Sequence, residues 1–301
     1  AIVDDIVVRR FPVRRRDTAA FDRVNRKLMQ GQRLSLQEEQ TFVEEMVNSP
    51  QLYEYMLDSS DDYSLYVFIP YMFGTTYFGM QICPEKSVLI PCFHDEAYLY
   101  LRLFRQAYIQ ARGMIYNAMP EMELAGRVYD FSSTEQICMG IGMDTDLHPD
   151  AEAFRKAYHI EKPFLLYAGR KDTGKNVHTL LRYFAEFKRR QPSDLQLVLI
   201  GGGQIEIPVS VQDDVYDLGF VTAQDKYNAM AAAELLCQPS HNESFSLVIM
   251  ESWLCGRPVL VHAKCAVTRD FARRSNGGLY FKDYFEFEGC VQYLLSHPEA
   301  A

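Results

Sequence analysis

Short apolar runs alternate with longer amphipathic ones along most of the chain. Residues 6–8, 65–69, 88–91, 114–116, 164–167, 195–200, 235–237 and 259–261 are rich in Val, Ile, Leu and Tyr. Most are apolar at successive positions, the pattern of strands covered on both faces of a parallel sheet. Between them, residues 35–48, 96–112, 176–190, 224–233 and 246–255 carry helical patterns. Strand and helix in alternation predict βαβ units and a doubly wound α/β fold. The alternation breaks in the polar, Pro-bearing stretch 143–150; a charged helical stretch, 151–158, follows, and Pro163 opens a clean strand. A boundary near residue 160 is therefore expected, with Rossmann-like domains at 1–159 and 160–301. Residues 63–84 carry no charge, long enough to span a bilayer. Pro70, Gly74, Thr75, Thr76, Gly79, Gln81 and Pro84 interrupt them, which favours a buried strand, a turn and a short helix or loop.

The chain has 301 residues, enough for two domains that need no disulfide or metal staple. Its hydrophobic content of 48% excludes disorder and fibrous repeats, and its formal net charge of −9 argues against a nucleic-acid partner bound by general electrostatics. Seven cysteines, an odd number without a C-x-x-C pair, predict packed, reduced thiols and a cytosolic protein. No charged segment followed by an apolar one opens the chain, so no signal peptide is expected. The chain begins at Ala1 without a Met, and an upstream stretch is expected beyond it.

The sharpest chemical feature is Glu243-Ser244-Phe245-Ser246-Leu247-Val248-Ile249-Met250-Glu251, two carboxylates with seven residues between them. Pro239 to Asn242 forms a loop after a strand, Ser246 is a candidate N-cap, and Gly256 and Pro258 stop the helix. Glu243 then precedes a helix start, and Glu251 lies about one turn inside. The unpaired N–H groups of Ser246, Leu247 and Val248 are a ready anion site. A carboxylate on either side suits a sugar nucleotide, one for sugar hydroxyls and one for ribose; an ordinary amphipathic helix with two exposed glutamates is the competing reading.

A second feature is the run from Tyr167 through Gly169, Arg170 and Lys175 to Asn176, a strand ending in a cationic, glycine-bearing loop before a helix. Open α/β sheets bind ligands at such ends. It is not a Walker A loop, because Asn176 stands where Ser or Thr is required. Two weaker features follow: Leu199-Ile200-Gly201-Gly202-Gly203, where backbone can approach a nucleotide, and Asp217 to Thr222, whose backbone can read a base edge.

In order, G-R-x4-K-N, L-I-G-x-G, G-F-V, P-S-x3-E-S-F-S-L-x3-E and G-x-P-V-L resemble the nucleotide-binding half of glycosyltransferase family 4. The resemblance covers about residues 87–285, more loosely at Ile90 to Asp95 and Gly140 to Asp144. It implies the GT-B fold, two facing Rossmann-like domains, and transfer with retained anomeric configuration. It also implies roles: Arg170 and Lys175 for the donor diphosphate with the Leu247 and Val248 N–H groups, Glu251 for ribose, Glu243 for the transferred sugar near O3. Gly169, Gly201, Gly202 and Val221 would line the nucleotide, Ser244, Phe245 and Ser246 the sugar pocket, and His94 would approach from the first domain. Glu243, His94, Arg170 and Lys175 are thus the candidate catalytic residues. The family usually has Gly where Ser244 and Ser246 stand. Its opening strand with a Gly-rich loop and its closing helix have no counterpart in the sequence, so the N-terminal domain is expected to be incomplete.

The implied donor is UDP-glucose or a close relative, ahead of GDP-mannose, and the acceptor a saccharide or a lipid-linked one. No cofactor or metal is expected, since Arg170 and Lys175 supply what a cation supplies elsewhere. Asp144-Thr145-Asp146 is a D-x-D, read as linker, and Asp61-Asp62 as a surface loop. His178 and His241 are read as helix-surface and loop residues, and Met250, Trp253 and Leu254 as core. Arg9, Arg10, Arg14, Arg15 and Arg16 are a candidate peripheral membrane contact, or a face paired with Asp4, Asp5 and Asp17. A sugar-nucleotide epimerase and a catalytically silent nucleotide-binding module are the competing functions.

Overall fold

The computed structural model describes residues 1–297. The chain divides into two compact units, Ala1–Gly140 and Ile141–Ala301. The first opens with an antiparallel hairpin of β1 (Ile2–Val3) and β2 (Ile6–Val7). Helices α1 (Thr18–Met29), α2 (Leu36–Glu44) and α3 (Pro50–Asp58) follow. The Asp17 carboxylate caps α1, and Ser35 with Glu38 closes a reciprocal capping box on α2, where the first-turn N–H groups lack helical partners. Next come β3 (Tyr66–Phe68), α4 (Gly74–Gly79), β4 (Ser87–Leu89), α5 (Arg102–Tyr108), β5 (Gly113–Tyr116), α6 (Met119–Val128) and β6 (Glu135–Cys138). The four strands β3–β6 lie in sequence order in one parallel sheet.

In this unit the apolar cluster gathers on one side of the sheet, where Leu89, Met114 and Tyr116 meet Phe42, Phe93 and Phe104. Side chains alternate across a strand, and Val67, Ile69 and Ile137 on the opposite alternation are exposed. The expectation of two-sided burial, including a buried strand within residues 63–84, therefore fails here: β3 is an edge strand. The expected helix over residues 96–112 is interrupted by Leu101, extended at ψ 132°, which ends a 3-10 turn (Ala97–Tyr100) and begins α5.

The arginine-rich segment is largely engaged within its own unit. The Arg9 guanidinium lies 5.1 Å from the Tyr55 ring centre, Arg14 pairs with Glu45 at 2.9 Å, and Arg16 donates to the Glu45 carbonyl. Glu45 takes the place of the expected partners Asp4, Asp5 and Asp17. Among the described residues no helix is long and apolar enough to cross a membrane.

The second unit begins with α7 (Ala151–Tyr158) and continues β7 (Phe164–Ala168), α8 (Val177–Arg190), β8 (Gln196–Ile200), β9 (Val215–Gly219), α9 (Ala223–Ala232), β10 (Leu235–Gln238), α10 (Leu247–Leu254), β11 (Val259–His262), α11 (Ala266–Ser275), β12 (Gly278–Phe281) and α12 (Tyr284–Ser296). Its parallel six-stranded sheet runs β12-β11-β10-β7-β8-β9. β7, β8, β10 and β11 are buried at every position, as their unbroken apolar runs predict. Leu165, Tyr167, Leu199 and Leu260 meet α8 and α12 on one face. Phe164, Leu166, Val198 and Val261 meet α7, α9, α10 and α11 on the other.

Helix α7 belongs to this second unit, so the units part at residues 140/141 rather than the expected 159/160. Phe154 is fully buried in the core against α9, the Arg155 guanidinium donates to the Ala232 carbonyl at 2.8 Å, and the Asp150 N–H to Asn228 at 2.7 Å. The amphipathic face of α7 therefore packs on the sheet that follows it.

Candidate functional site

The chain enters the second sheet at β7, winds outward through β8 to β9, then crosses back to lay β10 on the other side of β7. The order reverses between β7 and β10, and the crevice beyond the carboxyl ends of those strands is where open α/β sheets take ligands. Both sharp sequence features leave these two strands there: Gly169 to Asn176 follows β7, and Pro239 to Ser246 follows β10.

The two loops are joined. Lys175 Nζ lies 2.7 Å from Glu243 Oε1, and Asn176 Nδ2 donates to the Pro239 carbonyl at 3.0 Å. Asn176 holds a left-handed conformation at φ 58° in the N-cap position of α8. The glycines fit by close approach: a Cβ on Gly201 (φ 122°) would lie 2.1 Å from the Gly169 carbonyl oxygen. Lys171 N–H donates to the Gly202 carbonyl at 2.7 Å. The β7 and β8 loops thus touch backbone to backbone.

Helix α10 starts at Leu247, with Ser246 in the N-cap position at φ 74°, ψ 76°. This conformation costs an L-residue roughly 1–2 kcal/mol, which accounts physically for the family's usual Gly. The expected cap does not form: Ser246 makes no capping bond, and its buried Oγ has no partner. The N–H groups of the first turn, Leu247 and Val248 among them, are thereby left without a helical acceptor. Phe245 is buried edge-on against Phe271, ring centres 5.3 Å apart, and fixes the turn. Ser244 is half-buried beside it.

Glu251 lies about one turn inside α10 and is 9% exposed. Its Oε1 pairs with Lys226 of α9 at 2.6 Å, and its buried Oε2 has no partner. Two lysine–carboxylate pairs, Lys175–Glu243 and Lys226–Glu251, therefore flank the start of one helix. Arg170 stands apart: its side chain is 75% exposed, 3.5 Å from Asp172. Gly169, Gly201, Gly202 and Lys175 gather at the carboxyl ends of β7 and β8, and Val221 is half-buried just after β9. His94 belongs to the first unit, its Nδ1 3.4 Å from Glu96 Oε1.

Residues with no motif to announce them also fasten loops within each unit. The Lys171 side chain, 2% exposed, pairs with Asp217 of β9 and fastens the glycine loop to the next strand. Burial pushes the Tyr167 phenol up, and its hydroxyl donates to the Arg170 carbonyl at 2.6 Å. In the first unit, the buried Glu121 carboxylate accepts from the N–H groups of Phe93 and Asn117, both at 2.7 Å. It ties the loop bearing His94 to the loop after β5, and desolvation raises its pKa to about 7.

Other expectations are extended or corrected. His241 lies in the loop after β10, as expected, and its ring also pairs with that of His262, centres 4.3 Å apart. Leu254 is exposed, while Ile249, Glu251 and Ser252 form the buried side of α10. Asp144 accepts from the Asp146 N–H at 3.0 Å in an exposed loop, consistent with a linker. Among the described residues no three His, Cys, Asp or Glu side chains converge as a metal site.

A parallel α/β unit of this winding, with glycine loops and lysines gathered about a helix start at its switch point, belongs to the doubly wound sheets that take ligands in that crevice. The family model for glycosyl transferases group 1 matches residues 150–300, half of the chain, and the chain belongs to that family. It is 32% identical over 174 residues to D-inositol 3-phosphate glycosyltransferase of Saccharomonospora viridis, covering 52% of this chain and 40% of that protein. It is 30% identical over 197 residues to N-acetylgalactosamine-N,N'-diacetylbacillosaminyl-diphospho-undecaprenol 4-alpha-N-acetylgalactosaminyltransferase of Campylobacter jejuni, covering 63% of this chain and 52% of that one. The matches thus span about half the length of these curated relatives. The structure resembles that of Anabaena Alr3699/HepE in complex with UDP-glucose, with TM-score 0.68 at 18% identity, covering 84% of this chain and 74% of that one. It also resembles sucrose-phosphate synthase from Thermosynechococcus elongatus, with TM-score 0.66 at 19% identity, over 90% and 73% of the two chains. The fold is that of the GT-B glycosyltransferases.

Proposed function

We propose that the protein transfers a hexose from a nucleoside-diphosphate sugar, UDP-glucose first among donors, to a saccharide or lipid-linked acceptor with retention at the anomeric carbon. The observation that carries this reading is the paired arrangement at the start of α10, with Glu251 Oε2 buried and unpartnered one turn inside the helix. A buried acceptor of this kind calls for a donor, and a ribose hydroxyl supplies one. Lys175, the uncapped N–H groups of Leu247 and Val248, and the exposed Arg170 take the diphosphate. Glu243, held by Lys175, receives sugar hydroxyls near O3, while Gly201 and Val221 line the nucleoside. His94 of the first unit is the remaining proposed catalytic residue.

As the sugar–phosphate bond breaks, positive charge grows on the ring and negative charge on the departing diphosphate. Fixed cations and N–H dipoles aimed at that charge lower the barrier, each donor being worth about 10²–10³ in rate. The departing phosphate then takes the acceptor proton on the face it leaves, which delivers retention without a protein nucleophile. UDP-glucose is favoured because Alr3699/HepE, of similar fold, binds it; a lipid-linked acceptor is favoured by the diphospho-undecaprenol in the Campylobacter relative's name. The proposed location is cytoplasmic, with peripheral membrane contact through the exposed Arg10 and Arg15.

Calorimetry with UDP, UDP-glucose and GDP-mannose, followed by NMR of the anomeric proton after turnover, tests this reading. UDP-glucose binding and an axial-retained product are expected, with no loss in EDTA. Failure to bind any of the three ligands overturns the site; an inverted product, or loss of turnover in EDTA, overturns the mechanism.

A further inference from the structure

On the side of the second sheet covered by α8 and α12, the carboxyl ends of β11 and β12 open onto a cavity of about 550 Å³. Arg182 of α8, His241, His262, Lys264, Arg269 and Lys282 line it, and no aspartate or glutamate does. In a protein of net charge −9, such a wall is a local reversal of sign.

The hydrogen bonds around the two histidines fix what they present. The Lys264 N–H donates to His262 Nδ1 at 3.1 Å, so the neutral ring carries its proton on Nε2. Asn176 Nδ2 already donates to the Pro239 carbonyl and lies 3.1 Å from His241 Nε2, which leaves the His241 proton on Nδ1. Each imidazole therefore offers one N–H with no acceptor among the described residues. His262 is 7% exposed as a residue and lines the cavity beside His241. Desolvation, then the neighbouring His241 and Lys264, lower the His262 pKa to about 4; desolvation, Lys264 and His178 lower that of His241. Both rings are thus neutral donors at pH 7. Arg182 and Lys264 make no ion pair among the described residues, and Lys282 shares Glu286 at 2.9 Å.

We infer that this cavity is an oxyanion site for a phosphate group, free or carried as a monoester, separate from the cradle at Lys175 and Glu243. A phosphate offers acceptors to both imidazole N–H groups at once, and its charge answers Arg182 and Lys264. Planar guanidinium and compact ammonium groups are the usual partners of such an oxyanion.

The test follows the His241 and His262 ring resonances by NMR in the 301-residue protein while inorganic phosphate or glycerol 3-phosphate is added at constant ionic strength. Both resonances are expected to shift and saturate. Equal affinity for the two probes identifies free phosphate as sufficient, and tighter binding of glycerol 3-phosphate identifies an ester. Arg182→Ala and Lys264→Ala, both at exposed positions, should each weaken binding about tenfold. Saturation with UDP should leave phosphate affinity unchanged. Unshifted resonances, variants without effect, or displacement by UDP would each overturn the inference.

Discussion

Replacing Glu251 with Ala removes the carboxylate that the proposed donor site reserves for ribose. One oxygen already engages Lys226 at 2.6 Å, and the other is buried with no partner. In the proposed complex it is this second oxygen that would accept a ribose hydroxyl. A hydrogen bond to a charged group is worth about 1.5–3 kcal/mol, so UDP should bind about 10- to 150-fold more weakly to Glu251→Ala. Stability should change little, because the freed Lys226 ammonium lies over the Tyr227 ring at 4.7 Å and its side chain, 25% exposed, reaches water.

The decisive assay is a cycle with two ligands rather than one affinity. UDP and its 2′,3′-dideoxy analogue are titrated by calorimetry into the wild-type protein and the variant. The wild type should prefer UDP by about the factor the mutation removes, and the variant should bind both alike. If the variant weakens both ligands equally, or if the wild type does not distinguish them, Glu251 acts on something other than the ribose and the assignment is wrong.

Gly201→Ala places a methyl 2.1 Å from the Gly169 carbonyl oxygen at φ 122°, where backbone must move; urea unfolding should show a loss of more than about 2 kcal/mol. Ser246→Gly relieves the left-handed strain and removes a buried unpaired hydroxyl, against the added backbone entropy of glycine, and should stabilise by about 1 kcal/mol in the same assay. Glu121 has its folded pKa raised to about 7 from 4.5, so its protonated form favours folding. The stability it contributes is full below pH 4.5 and is lost as pH rises to about 7, amounting to about 3 kcal/mol. Glu121→Gln should flatten that part of the stability–pH curve, and an unchanged slope would remove the assignment.

Much of the second unit could be read from its residues because its chemistry is local in sequence. Unbroken apolar runs marked β7, β8, β10 and β11, and the loops bearing Lys175 and Glu243 each follow one of them within a few positions, so both residues could be singled out from the sequence, although their pairing with each other could not. β12 escaped notice: as an edge strand that includes the exposed Tyr280, it lacks the continuous apolar signature. Lys226 and Lys171 were missed for a different reason. Their partners Glu251 and Asp217 sit 25 and 46 residues away, and only the crossover of the sheet brings them near. His262 was silent because it ends a buried strand and reads as ordinary core until the Lys264 N–H is seen to fix its tautomer.

The Ser residues of the carboxylate motif show how far a resemblance carries physical content. A glycine at position 246 is explained by φ 74° alone, and Ser246 keeps that backbone geometry while leaving its hydroxyl buried and unpartnered. The strain is therefore retained rather than relaxed, and with it the uncapped first turn of α10, which a capping serine in extended conformation would have closed. An N-cap bond satisfies one of the N–H donors that a diphosphate needs. The failure of Ser246 to cap and the availability of the helix start to an anion are thus consequences of one dihedral angle, and a substitution that restored the cap would weaken the anion site even with Lys175 and Glu243 in place.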